Sequence, residues 1–96
     1  MAEFVYDLEL NYLIGKDRYS SARMAGAAFS NPVAKGDNLE ALIKDETGGV
    51  VRVTLGLVES VSHTAGFTDH AARSLAVVRR DEFDETLLRY VNQYWD

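Results

Sequence analysis

The chain has 96 residues, 47% of them hydrophobic and 26% charged, with a formal net charge of -5 and no cysteine. Such a composition fits a single compact domain over residues 1–96 with a packed core, and argues against disorder. The lack of cysteine excludes disulfides, thiolate metal ligands and a cysteine nucleophile together.

No basic start followed by an apolar run opens the chain, and no stretch of about 18 apolar residues occurs in it. The expectation is a cytoplasmic protein with no membrane contact. Charge is uneven along the sequence. Residues 51–80 are net basic through Arg52, Arg73, Arg79 and Arg80, and both flanks are net acidic. Phosphate binding needs clustered Lys and Arg. Here Arg73, Arg79 and Arg80 gather beside Asp81, Glu82, Asp84 and Glu85, so nucleic-acid binding is not expected.

From Glu3 to Ile14 the pattern alternates. Phe4, Tyr6, Leu8, Leu10, Tyr12 and Ile14 fall on one side, and Glu3, Asp7, Glu9 and Asn11 on the other. Period two with aromatic and aliphatic residues on one face predicts a half-buried strand. "GKDRYSS" supplies the turn. "SARMAGAAFSN" then reads as a second strand or a short helix, the helix weakened by Gly26 in its interior. Asn31-Pro32 ends it.

"GDNLEALIKDETGG" reads as a helix. Asp37 is a good N-cap, Glu40 completes a capping box, and Leu39, Leu42 and Ile43 share a helical face. Gly48 can end it. The competing reading is a hairpin that turns at "DETGG".

"VVRVTLGLVESVSH" predicts a strand. Val51, Val53, Leu55, Leu57 and Val61 take one face, and Val50, Arg52, Thr54, Val58, Ser60 and Ser62 the other, with a bulge marked by Gly56. "TAGFTD" is loop-like. "ARSLAVVRR" continues as a fourth strand or as a helix capped at Thr68. In "RDEFDETLLRYVNQYWD" a stripe of Phe83, Leu87, Val91 and Tyr94, flanked by Leu88 and Trp95, predicts a helix. Acidic residues fill its first turn. Its apolar stripe is expected to cover the first strand.

The elements read strand–strand–helix, twice. They predict an α+β fold: an antiparallel sheet of about four strands with two helices on one face. "SARMAGAAF … DNLEALI" and "AARSLAVVR … DETLLRYV" share a layout that suggests a ββα-ββα pseudo-repeat. The alternative is a small antiparallel β-barrel closed by a C-terminal helix.

Phosphate-loop, dinucleotide, zinc-protease, nucleophile-elbow and EF-hand signatures are absent. His63, Asp69 and His70 are close in sequence, and Ser60, Ser62 or Ser74 could complete a Ser–His–Asp set. Their spacing is diagnostic of nothing, and polar residues around Gly66 more commonly mark a connection. No metal, no cofactor and no catalytic residue is therefore expected. If the chain were an enzyme, His63 would be its general base, assisted by Asp69 or Tyr12. Tyr90, Tyr94 and Trp95 are a candidate interface, because Tyr and Trp are enriched where proteins meet. The competing role for them is to cap the domain's own core.

The leading expectation is a small non-catalytic binding or regulatory module that acts through protein–protein contacts, as a homodimer. The alternative is a small enzyme or small-molecule-binding protein using His63 in a pocket between sheet and helix. A third is an acidic decoy that blocks a nucleic-acid-binding protein.

Overall fold

The computed structural model describes residues 3–44, 46–69 and 71–95, with the backbone but not the side chain of Tyr94. In chain order these form β1 (Phe4–Gly15), β2 (Arg18–Phe29), β3 (Asn38–Lys44), β4 (Val50–Thr64), β5 (Arg73–Arg80) and α1 (Glu85–Tyr94). The strands make a five-stranded sheet in the order β2-β1-β5-β4-β3. The sheet curls into a half-barrel, and α1 packs against β4, so the α+β class holds.

The alternation in β1 does what its period demands. Tyr6, Leu8, Leu10 and Tyr12 point into the core, and Asp7, Glu9 and Asn11 lie half-buried on the convex face. Gly15 pairs with Arg18, leaving Lys16 and Asp17 as a two-residue turn in which Asp17 takes a positive φ of 59°. That conformation suits a tight hairpin and is tolerated by aspartate.

β1 and β5 run parallel, whereas every other neighbouring pair is antiparallel. The sheet is therefore mixed rather than antiparallel, and it has five strands rather than four. The parallel register sets Leu8 beside Ala76 and Leu10 beside Val78, all four essentially solvent-free.

Three further expectations are corrected. Residues 38–44 form a strand, not a helix. Leu39 is buried, Ala41 and Ile43 are half-buried, and Asn38, Glu40, Leu42 and Lys44 are exposed, which is a period of two. Leu42 lies on the exposed side, and it is the residue that completed the helical face in the sequence. The long β4 offers a backbone edge whose hydrogen bonds outweigh the good helix propensity of "LEALIK". Asp37 caps no helix; its carboxylate accepts from the Ala34 N–H at 2.8 Å and pins the β2–β3 connection. Among the described residues there is then one helix, not two, and the ββα-ββα repeat fails where its first helix should stand. A barrel-like sheet with a C-terminal helix is nearer the observed architecture, although the β1–β5 pair is parallel.

The third correction concerns the helix itself. α1 begins after Asp84, whose Oδ1 accepts from the Thr86 and Leu87 N–H groups at 3.0 and 3.4 Å. Phe83 precedes it and is exposed. Leu87, Tyr90 and Val91 are the buried stripe, and α1 as a whole makes its main approach to β4, not to the first strand.

Two irregularities govern the phase of β4. Leu39 pairs with Gly56 but Glu40 with Thr54, so Leu55 is an extra residue; Val58 pairs with Val78 but Ser60 with Val77, so Glu59 is another. Between them the faces exchange: Leu57 is exposed and Val58 buried, the reverse of strict alternation. After Glu59 the original phase returns. Gly56 carries the first shift with φ 130°, packed directly on the Arg79 carbonyl.

Candidate functional site

His63 lies near the end of β4, exposed, paired across the sheet with Ser74 of β5. Its Nδ1 is 2.8 Å from the Ser74 Oγ, and its ring sits 6.3 Å from the Tyr6 ring. Tyr6 is fixed on its other side. Its hydroxyl accepts from the Val33 N–H at 3.0 Å, and Phe29 meets its ring edge to face at 6.0 Å. Of the three candidate serines, the fold thus brings Ser74 to the imidazole. Ser60 and Ser62 lie on the convex face with Val77 and Leu75.

Asp69 is exposed in the β4–β5 connection, and His70 lies outside the described residues. Among the described residues, no three His, Cys, Asp or Glu side chains gather where a metal ion could be held. Tyr12 is buried in the core, beside Arg80 of β5 and Ser20 of β2. It stands six residues along β1 from Tyr6, roughly 20 Å at the rise of an extended strand. Tyr12 therefore cannot assist His63. A hydroxyl beside an imidazole has the elements of an activated nucleophile, but among the described residues the partner bonded to this ring is Ser74 and not a carboxylate.

Tyr90 and Trp95 are both buried in their own chain, ring centroids 6.1 Å apart. The side chain of Tyr94 lies outside the described residues. Of the three candidate interface residues, Tyr90 also reaches the surface of a groove. At the end of β4 remote from His63, a groove of about 410 Å³ opens between the outer strands β2 and β3, lined by Met24, Leu42, Ile43, Lys44 and Tyr90. A second groove of about 360 Å³ adjoins it between the β3–β4 turn and α1, with Val51, Arg89 and Gln93 on its walls. Leu42 and Val50 stand exposed beside these grooves. Sequence reasoning missed this surface. The signal for it was Leu42, an apolar residue in the polar phase of its strand.

The convex face is a lattice of paired charges. Glu9 bonds Arg23 at 2.8 Å, Asp7 lies 3.9 Å from Arg73, and Glu40 bonds Arg52 at 3.0 Å. At one corner Arg79 stacks over the Tyr19 ring at 4.7 Å and bonds Asp81 at 2.6 Å. Tyr19 donates its hydroxyl to the same Asp81 oxygen at 2.9 Å. Those two hydrogen bonds, that from Arg79 first, hold the Asp81 carboxyl below its ordinary range, and Asp81 in turn holds Arg79 more firmly charged.

No helix among the described residues is long and apolar enough to cross a membrane. Comparison with protein-family models, curated proteins and solved structures finds no match to this chain.

Proposed function

We propose that this chain is a non-catalytic binding module that works through protein–protein contacts, as a homodimer. The observation that carries the reading is the outer strand β3. It has one side bonded to β4, and it presents Leu42, 68% exposed, beside the groove under Tyr90, with Val50 of β4, 66% exposed, across from Lys44. An exposed leucine on an outer strand is what an edge-pairing or docking surface uses. Light scattering across the micromolar range tests it: a mass of two chains is expected, and a strict monomer throughout overturns the homodimer.

A second reading keeps the His63–Ser74 contact as the core of a small enzyme or small-molecule site. Thermal-shift screening of His63→Ala against the parent tests it, with a ligand shift lost in the variant as the result in its favour. The acidic-decoy reading draws less support. Asp7 and Glu9, the acidic residues on the polar side of the first strand, are both paired with arginine.

A further inference from the structure

We infer that two copies of this chain join antiparallel along β3, about a two-fold axis at Leu42, with Glu40 of each copy opposite Lys44 of the other. The inference rests on the homodimer reading and names its surface and register.

β3 is the outermost strand on its side of the sheet. Glu40, Leu42 and Lys44 share its convex face, paired across to Thr54, Arg52 and Val50 of β4. When a strand pairs antiparallel with its own copy about an axis normal to the sheet, opposed residues share a face and their numbers have a fixed sum. The choice of register is then small. An axis at Glu40 sets glutamate against glutamate, and an axis at Lys44 sets lysine against lysine. An axis at Ala41 sets Glu40 against Leu42, and an axis at Ile43 sets Leu42 against Lys44. Each of these opposes like charges, or a charge to an apolar side chain.

An axis at Leu42 matches every pair from Glu40 to Lys44. Leucine meets leucine, Glu40 meets Lys44 on both sides of the axis, and on the concave side Ala41 meets Ile43. Glu40 would then lie between Arg52 of its own chain, 3.0 Å away, and Lys44 of the second copy. Val50, opposite Lys44 on β4, extends the apolar margin diagonally from Leu42. Self-complementarity of this kind is what a two-fold interface requires, since one patch must serve both sides. It also accounts for an exposed leucine between two opposite charges on a strand whose other exposed residues are polar.

The test uses charge reversal and cross-linking on the full chain. Glu40→Lys alone should weaken the dimer by roughly tenfold or more, because it sets like charges opposite twice. Lys44→Glu should do the same, and serves if the first variant folds poorly by circular dichroism. The double exchange Glu40→Lys with Lys44→Glu should recover much of the lost affinity, short of the parental value because the introduced lysine would face Arg52 of its own chain. Because the chain has no cysteine, Leu42→Cys should cross-link to itself under mild oxidation, the opposed Cα atoms being close enough for a disulfide. Ser62→Cys, exposed near the far end of β4, should not. A dimer that survives Glu40→Lys unchanged and fails to cross-link through Leu42→Cys overturns the β3 pairing and leaves the homodimer reading standing. A parent that stays monomeric, with no Leu42→Cys cross-link, overturns both.

Discussion

Tyr90 and Trp95 meet edge to face, ring centroids 6.1 Å apart and planes at 70°, and both are drawn into the core of their own chain. The Trp95 N–H also donates to the Val91 carbonyl at 2.9 Å, so the residue after the helix is held by backbone and ring together. Among the described residues its buried indole Nε1 has no hydrogen-bond partner. Trp95→Ala should therefore cost about 3–5 kcal/mol, a large share of a small domain's stability. Trp95→Phe keeps an aromatic pair and removes an unpartnered buried donor, so its loss should be clearly smaller. Urea unfolding followed by circular dichroism compares the two, and equal losses would show that ring packing does not hold this end of the helix.

Gly56 faces two obstacles to substitution. Its φ of 130° is one that side-chain-bearing residues rarely adopt, and an added Cβ would collide with the Arg79 carbonyl of the neighbouring strand. Neither obstacle yields cheaply, because both partners are backbone in the middle of the sheet. Gly56→Ala should lose on the order of 3 kcal/mol or more, and should expose Val58 as the bulge shifts. Hydrogen exchange at the β4–β5 pairing would report it. A Gly56→Ala protein that melts like the parent would mean the bulge relaxes without cost.

Much of this fold is readable in the sequence where a strand keeps strict phase. β1 shows it: Tyr6, Leu8, Leu10 and Tyr12 are all buried as their spacing requires. Phase is lost at Leu57 and Val58, since one extra residue at Leu55 and another at Glu59 turn the strand over and back. Gly56 hinted at the first shift, and Glu59, a carboxylate in the apolar phase of the strand, marked the second. β3 misleads for a different reason. Its residues favour a helix locally, and what decides their state is the open edge of β4, a partner in space that local pattern does not show. Parallel pairing of β1 with β5 is likewise a property of topology, as the two strands lie at opposite ends of the chain. The apolar rim at Leu42 and Val50 went unread because each was assigned a place in the pattern of a single element.

Asp81 gives a pH dependence whose sign follows from its partners. The hydrogen bonds from Arg79 and Tyr19 hold its folded-state value below the ordinary 3.8. A group lowered on folding stabilises above its unfolded value, and that contribution is lost as the pH falls through the folded one. Asp81→Asn should therefore melt slightly below the parent at neutral pH. The gap should hold down to about 3.8 and close in more acidic solution. Because the pair is solvent-exposed and screened, high salt should narrow the gap as well. Melting curves from neutral to acidic pH decide it, and a gap that widens on acidification would reverse the assignment.

His63 is the remaining test of chemistry at the far rim. Its Nδ1 faces the Ser74 hydroxyl at 2.8 Å, and its ring leans on Tyr6. The carboxylate that strict alternation would place on its side is Glu59. The extra residue in β4 turns Glu59 outward, where its Oε1 lies 3.7 Å from Arg79 instead. A zinc ion at His63 would need ligands from the β4–β5 connection folding back over the strand end, and Asp69 stands exposed in that connection. Calorimetric titration of the parent with zinc, nickel and manganese should accordingly show no stoichiometric site. His63→Ala should lose no more than about 1 kcal/mol, the worth of one exposed hydrogen bond and a ring contact. Sub-micromolar binding of one ion per chain, abolished by His63→Ala, would instead place metal chemistry at this rim and favour the enzyme reading over the binding module.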